Sequence, residues 1–184
     1  RIHLPAYVER RPADYLSLFH SIADAHRALL PAGTEVYPEL ENFPYSRFAK
    51  SLAFTRFQLL SAQVLAPSGM TLDFYDLNGN GPILADRYQD VLADTRQELD
   101  AGLAGGVFAR PRRGVAVLVS EESAAALHTA SGVSMVELYP REYLFGPLLA
   151  GYGISFRYTT DHTLAGEIVA VGGQYFRTIG AEAA

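Results

Sequence analysis

The sequence predicts an α/β fold with parallel sheet, arranged in two bodies, and three observations carry that prediction. Between residues 14 and 103, segments of helical period alternate with short segments of strand period, the grammar of repeated βα units. One strand segment, residues 35–41, delivers two carboxylates, Glu39 and Glu41, to its C-terminal end, where a (β/α) barrel does its chemistry. After a break rich in glycine, proline and arginine, residues 115–119 form a continuous apolar run, the mark of a strand buried on both faces. The first body reads as barrel-type βα units and the second as the start of a flavodoxin-like, doubly wound sheet.

Taken in order, residues 14–30 place Tyr15, Leu18, Phe19, Ile22, Ala25 and Leu29 on one helix face, and Pro31, Ala32 and Gly33 stop that helix. In residues 35–41 strand alternation puts Tyr37, Glu39 and Glu41 on one side and Val36, Pro38 and Leu40 on the other. An apolar outer face suits packing against helices, and an acidic inner face near a barrel mouth suits a nucleophile or proton donor. The same pattern also fits a solvated acidic loop after a short edge strand. Ser46 is placed to cap a second helix that carries Phe48, Leu52, Phe57, Leu60 and Val64, and the Pro-Ser-Gly of residues 67–69 breaks it. Residues 70–76 alternate as a strand, Met70, Leu72 and Phe74 against Thr71, Asp73 and Tyr75. The Asn-Gly-Asn-Gly of residues 78–81 turns the chain into a third, more polar helix over residues 86–103.

Residues 105–113 read as a linker, and their arginines as a solvated cluster rather than an anion site. Beyond them come the strand at 115–119, a turn into a helix at Ser120–Ser123, a helix over 140–151, and strands at 154–158 and 167–171. The domains expected are therefore 1–104, 105–113 as linker, and 114–184.

Composition narrows the function. A chain of 184 residues with 49% apolar content can bury a proper core, and a net charge of −5 with no basic run gives no electrostatic footprint for nucleic acid. The absence of cysteine excludes disulfides, thiolate nucleophiles and cysteine-based zinc sites. No apolar run is long enough to span a bilayer, so no membrane partner is expected. The chain starts at Arg1 without an initiator methionine or a signal peptide, so it is expected to begin inside something larger or to be processed. The cytoplasm is the favoured location, although the start of the chain does not decide it.

Residues 76–81 open like an EF-hand loop, but Arg87 stands where a bidentate glutamate is required. The five histidines show no HExxH spacing. No G-x-S-x-G elbow, P-loop or G-x-G-x-x-G is present, and no metal or cofactor is expected.

The run Pro-Glu-Leu-Glu-Asn-Phe-Pro-Tyr-Ser at 38–46, with Phe-Ala-Lys-Ser at 48–51 and Met-Thr-Leu-Asp-Phe-Tyr-Asp at 70–76, resembles the last barrel strands of bacterial glycoside hydrolases related to the family 42 β-galactosidases. Residues 114–173 are similar to the trimerisation domain that follows the barrel there, a fold shared with class I glutamine amidotransferases. The resemblance implies that residues 1–7, 35–41 and 70–76 are barrel strands six, seven and eight, with strands one to five missing. The fold it implies is the C-terminal portion of a (β/α)8 barrel followed by a partial flavodoxin-like domain. It places the nucleophile at the end of strand seven, which maps to Glu41 first and Glu39 second. The acid/base of strand four would lie outside this chain. The amidotransferase likeness brings no amidotransferase chemistry, because the cysteine which that chemistry uses is absent.

A retaining glycosidase needs two carboxyls about 5–5.5 Å apart on opposite sides of the reacting carbon. Glu39 and Glu41 lie two residues apart on one face, ~6.6 Å along a strand, and approach a sugar from the same side. They are therefore not that pair. Glu41 is read as nucleophile with Glu39 one layer deeper as an orienting group, and the exchanged assignment stays open. Tyr37, Asn42, Asp73, Tyr75 and Asp76 are candidates to bind the sugar. The function expected is that of a fragment of a retaining glycoside hydrolase cleaving a β-linked sugar such as a β-galactoside, inactive alone. The alternative is a noncatalytic carbohydrate-binding or oligomer-assembly module with a vestigial site. The partners expected are a carbohydrate and, through the second body, further copies of the chain.

Overall fold

The computed structural model describes residues 2, 9–41, 50–73, 86–127, 140–173 and 175–177. The chain is of the α/β class, with all described strands pairing in parallel. It divides into two compact units, Arg1–Phe19 with Gly33–Pro111, and His20–Ala32 with Arg112–Ala184.

In the first unit, β1 (Glu39–Glu41) pairs with β2 (Thr71–Asp73), and Ile2 forms a parallel bridge with Pro38 on the other side of β1. Parallel neighbours need a long crossover, and here it contains α2 (Leu52–Gln63). Ile2, Val36, Pro38 and Leu40 are buried, Leu40 completely, so the apolar alternation of this segment does form a packed face. Leu72 shares that face through its register with Leu40 yet stays 40% exposed, because β2 is the outer strand of the described pair.

The cap of α2 differs from the sequence expectation. Ser51 holds the N-terminus, its hydroxyl accepting from the Phe54 amide at 3.1 Å, while its own amide donates to the Glu9 carboxylate at 2.8 Å. Ser46 lies outside the described residues. The buried face is also rotated from the one the aliphatic spacing suggested: Phe54, Thr55, Gln58, Leu59, Ser61 and Ala62 are inside, and Val64 is exposed. Polar residues can occupy this face because they are bonded there. Thr55 donates to the Ser51 carbonyl at 3.1 Å, and Gln58 accepts from the Lys50 ammonium at 2.6 Å while donating to the Tyr15 hydroxyl at 3.0 Å. Tyr15, on the first half of α1 (Pro12–Leu29), also stacks on Phe19 and meets Phe54 edge-on. The third helix, α3 (Asp86–Ala104), buries Tyr88 and Thr95 and is joined to α2 by an exposed Arg56–Glu98 ion pair.

In the second unit the sheet order is β4-β3-β5, from β3 (Val115–Leu118), β4 (Phe156–Thr159) and β5 (Val169–Ala170). Its first strand in sequence is therefore central. Ala116, Val117, Leu118 and Val119 are all buried, as a two-sided interior strand requires. One side of it packs with Ala25 of α1, Tyr158 of β4 and the half-buried Phe145 and Leu149 of α5 (Phe145–Gly151). A 3₁₀ turn over Arg141–Leu144 leads into α5, and the short α4 (Glu121–Ala125) follows β3, its first turn capped by the Ser120 hydroxyl accepting from the Ser123 amide at 3.0 Å.

Two contacts fix the second half of α1 in this unit. A Cβ on Gly146 would overlap the Ser21 hydroxyl, so α5 approaches α1 closely only because that position is glycine. Asp24, buried on α1, accepts from the Tyr158 amide at 2.8 Å and is ion-paired with Arg112. That amide points away from β3, so Asp24 covers an otherwise open strand edge.

Candidate active site

The site is built on the C-terminal end of the β1–β2 pair. Parallel register sets Glu39 opposite Thr71, Leu40 opposite Leu72, and Glu41 opposite Asp73. By strand alternation, positions 39, 41, 71 and 73 belong to one face, and Leu40 with Leu72 to the other. Three acidic positions thus gather on one face at the C-terminal end of the described pairing.

The register is pinned at its base. The Val36 amide donates to the Ser68 hydroxyl at 3.1 Å while the Val36 carbonyl accepts from the Ser68 amide at 2.9 Å. One step further, the Pro38 carbonyl accepts from the Thr71 amide at 3.0 Å. On the opposite side the Tyr37 carbonyl accepts from the Ile2 amide at 2.9 Å, and the Glu39 amide donates to the Ile2 carbonyl at 3.0 Å. Proline at position 38 still joins this ladder through its carbonyl, although it supplies no N–H.

Glu39 is 9% exposed, a carboxylate held in the packed part of the unit, and Asp73 is half-buried. Glu41 is the last residue of β1, and its side chain lies outside what the structure describes. Tyr37 lies lower on the strand. Its ring rests on Gly69, where a Cβ would come within 2.6 Å, and its hydroxyl donates to Glu35 at 3.3 Å. The Glu35 charge is the main cause that raises the Tyr37 phenol above its ordinary value. This engagement points the hydroxyl down the strand toward Glu35, two residues before it. Asn42, Tyr75 and Asp76 fall outside the described residues. The structure therefore brings Glu39, Glu41 and Asp73 onto one strand face and places Tyr37 at its base.

Sequence reasoning passed over the buried groups that surround these strands. Lys50, buried and the one lysine in a chain whose other basic residues are arginine, begins the Lys50–Gln58–Tyr15 chain of hydrogen bonds, and the Tyr88 hydroxyl donates to its carbonyl at 3.3 Å. The uniqueness of that lysine was the available signal. Burial pushes the Tyr15 phenol up to about 12, with the Gln58 hydrogen bond acting the other way. Among the described residues no group of three or more histidine, aspartate or glutamate side chains could hold a metal ion. None of the described helices is long and apolar enough to cross a membrane.

No protein-family model, curated protein or solved structure matches the chain significantly.

Proposed function

We propose that the chain is the C-terminal part of a retaining glycoside hydrolase acting on a β-linked sugar such as a β-galactoside. Its first unit belongs to the end of a (β/α)8 barrel, and its second to a flavodoxin-like association domain. The observation that carries this reading is the β1–β2 register, which sets Glu39, Glu41 and Asp73 on one face at the C-terminal end of parallel strands. Enzymes built on parallel βα units place their reacting groups there. Glu41, the outermost carboxylate of β1, is the nucleophile. Glu39, one layer deeper and nearly enclosed, holds the charge balance and orientation of the site. Thr71 and Asp73, on the neighbouring strand ~4.8 Å away, supply hydrogen bonds to the sugar. The proton donor comes from a strand outside this chain, since both glutamates of β1 approach from one side. In the second unit, the order second–first–third with all strands parallel is the opening of the flavodoxin-like order, which supports that part of the reading.

The second reading, a noncatalytic carbohydrate-binding or assembly module, is favoured by one observation: Tyr37 spends its hydroxyl on Glu35. Hydrolysis of an aryl β-galactoside separates the two. The gene product that includes the coding region upstream of Arg1 turns the substrate over, the isolated chain does not, and Glu41→Gln abolishes the activity. Turnover that survives both Glu41→Gln and Glu39→Gln overturns the site assignment.

A further inference from the structure

Helix α5 has an outer face left open to solvent. Its inner side is accounted for: Phe145 and Leu149 pack against the sheet, and Gly146 lies against Ser21 of α1. The 3₁₀ turn over Arg141–Leu144 runs into the helix without a break, and Leu144, Leu148 and Tyr152 follow one another at intervals of four on the side away from the sheet. They are 60%, 55% and 79% exposed. The helix closes in a Schellman turn, in which the Gly153 amide donates to the Ala150 carbonyl and the Ile154 amide to the Leu149 carbonyl, each at 2.9 Å. Gly153 takes the positive φ, +69°, which that turn requires, and the exposed Ile154 is brought back to the end of the helix.

Beside this ridge runs a low row. Pro147 and Gly151, again four apart, flank Leu144 and Leu148 on the helix surface. A Cβ on Gly151 would meet no atom within 4 Å, so this row is open space and not a filled contact. A ridge of i±4 spacing beside an empty groove of the same spacing fits a second copy of itself turned about a two-fold axis, with the helices crossing at about −50°. Charge favours the same occupant. No charged residue occurs between positions 143 and 156, and the Glu142 side chain before them is enclosed. In a chain with a net charge of −5, two copies can join this stretch without setting like charges against each other. The stretch offers nothing to a charged partner, and it lacks the basic residues by which a surface helix holds anionic lipid.

We propose that α5 is the contact surface of a symmetric dimer, the Leu144–Leu148–Tyr152 ridge of each copy lying in the Pro147–Gly151 groove of the other. With Ile154, the exposed side chains present about 450 Å² per copy, as much as the largest apolar patch of a typical monomer. Two copies enclose about 1,000 Å² once the rim is counted, the size at which specific interfaces begin, so the association is reversible and micromolar. The pairing gives a surface and a partner to the association role proposed for the second unit; it rests on that role and not on the chemistry of the first unit.

The test is sedimentation velocity of the full chain from about 1 to 200 µM, a range that brackets a micromolar Kd. The expected result is a reversible monomer–dimer equilibrium that Gly151→Arg weakens at least about tenfold, because the arginine fills the groove while its Cβ meets nothing within its own copy. Leu148→Glu weakens it likewise by setting like charges across the axis, and mixing Leu148→Glu with Leu148→Lys restores the dimer, which a folding defect would not do. A chain that stays monomeric throughout overturns the pairing and the association role together. Association that Gly151→Arg and Leu148→Glu leave unchanged, assembly into three copies instead of two, or a charge-swapped mixture that stays monomeric overturns the α5 pairing and leaves the association role to another surface.

Discussion

Each unit encloses a tyrosine hydroxyl that burial shifts strongly. Burial pushes Tyr15 in the first unit and Tyr158 in the second up to about 12, with hydrogen bonds from Gln58 and from Ser21 and Gly146 respectively pulling the other way. A phenol whose value is raised by folding stabilises the fold fully below the unfolded value near 10, and loses that contribution as pH rises through the folded value. The loss therefore falls between about pH 10 and pH 12, at about 2–3 kcal/mol for each group. Lys50 is the only lysine, but the chain holds 11 tyrosines, so the share of the loss due to these two is read from their phenylalanine variants. Urea midpoints measured from pH 9 to 12 should fall steeply, and Tyr15→Phe or Tyr158→Phe should flatten part of the fall. Asp24 is the other decisive single residue. Asp24→Ala strips the Tyr158 amide and the mostly buried Arg112 guanidinium of their partner at once and should cost about 3 kcal/mol in urea unfolding, whereas Asp24→Asn should cost less. The sequence carried little warning of this role, because an aspartate between Ala23 and Ala25 on an amphipathic helix looks like any residue at the edge of the apolar face.

At the scale of elements, α2 shows where local reading stops. Its existence followed from apolar spacing and the Pro-Ser-Gly that ends it, yet both its start and its buried face depend on partners distant in sequence. Ser46 and Ser51 are equally good caps by residue type. Ser51 holds the helix, and its own amide is satisfied by Glu9, 42 residues away. Thr55 and Gln58 turn inward because Ser51 and the Lys50–Tyr15 pair receive them. Ser51→Ala should destabilise the chain by about 1 kcal/mol, read as a lower urea midpoint at unchanged slope. The strands were recognised by alternation, but β1 (Glu39–Glu41) starts later than the 35–41 expected, because alternation extends as far as the sequence pattern does while pairing extends only as far as the neighbouring backbone; β2 pairs over Thr71–Asp73, and residues 74–76 lie outside the described residues. The apolar face of β1 was legible from Val36, Pro38 and Leu40. Leu40→Ala, at a site with no exposure, should cost about 2–5 kcal/mol.

For the whole molecule, the α/β class and the parallel pairing were legible because parallel strands need helices between them, and the order of periods records that requirement directly. The composition of two units was less so: α1 reads as one amphipathic helix, but the residues up to Phe19 belong to one unit and those from His20 to the other. Periodicity shows that a helix has an apolar face without showing which body receives it. Of the candidate site, the acidic face of β1 and its neighbour Asp73 could be read from alternation. The burial of Glu39 and the engagement of Tyr37 by Glu35 could not, since both follow from the packing of strand on strand. The role proposed for Glu41 is that of nucleophile in a retaining β-glycosidase. Its most direct test is azide rescue of Glu41→Ala in the complete gene product, with an aryl β-galactoside as substrate and the configuration of the product read by NMR. The expected outcome is a loss of at least about a thousandfold in kcat/KM, ~4 kcal/mol of transition-state stabilisation, and azide-dependent recovery that yields the α-galactosyl azide. Unchanged turnover, or recovery that yields the β-azide expected of a missing proton donor, would contradict it.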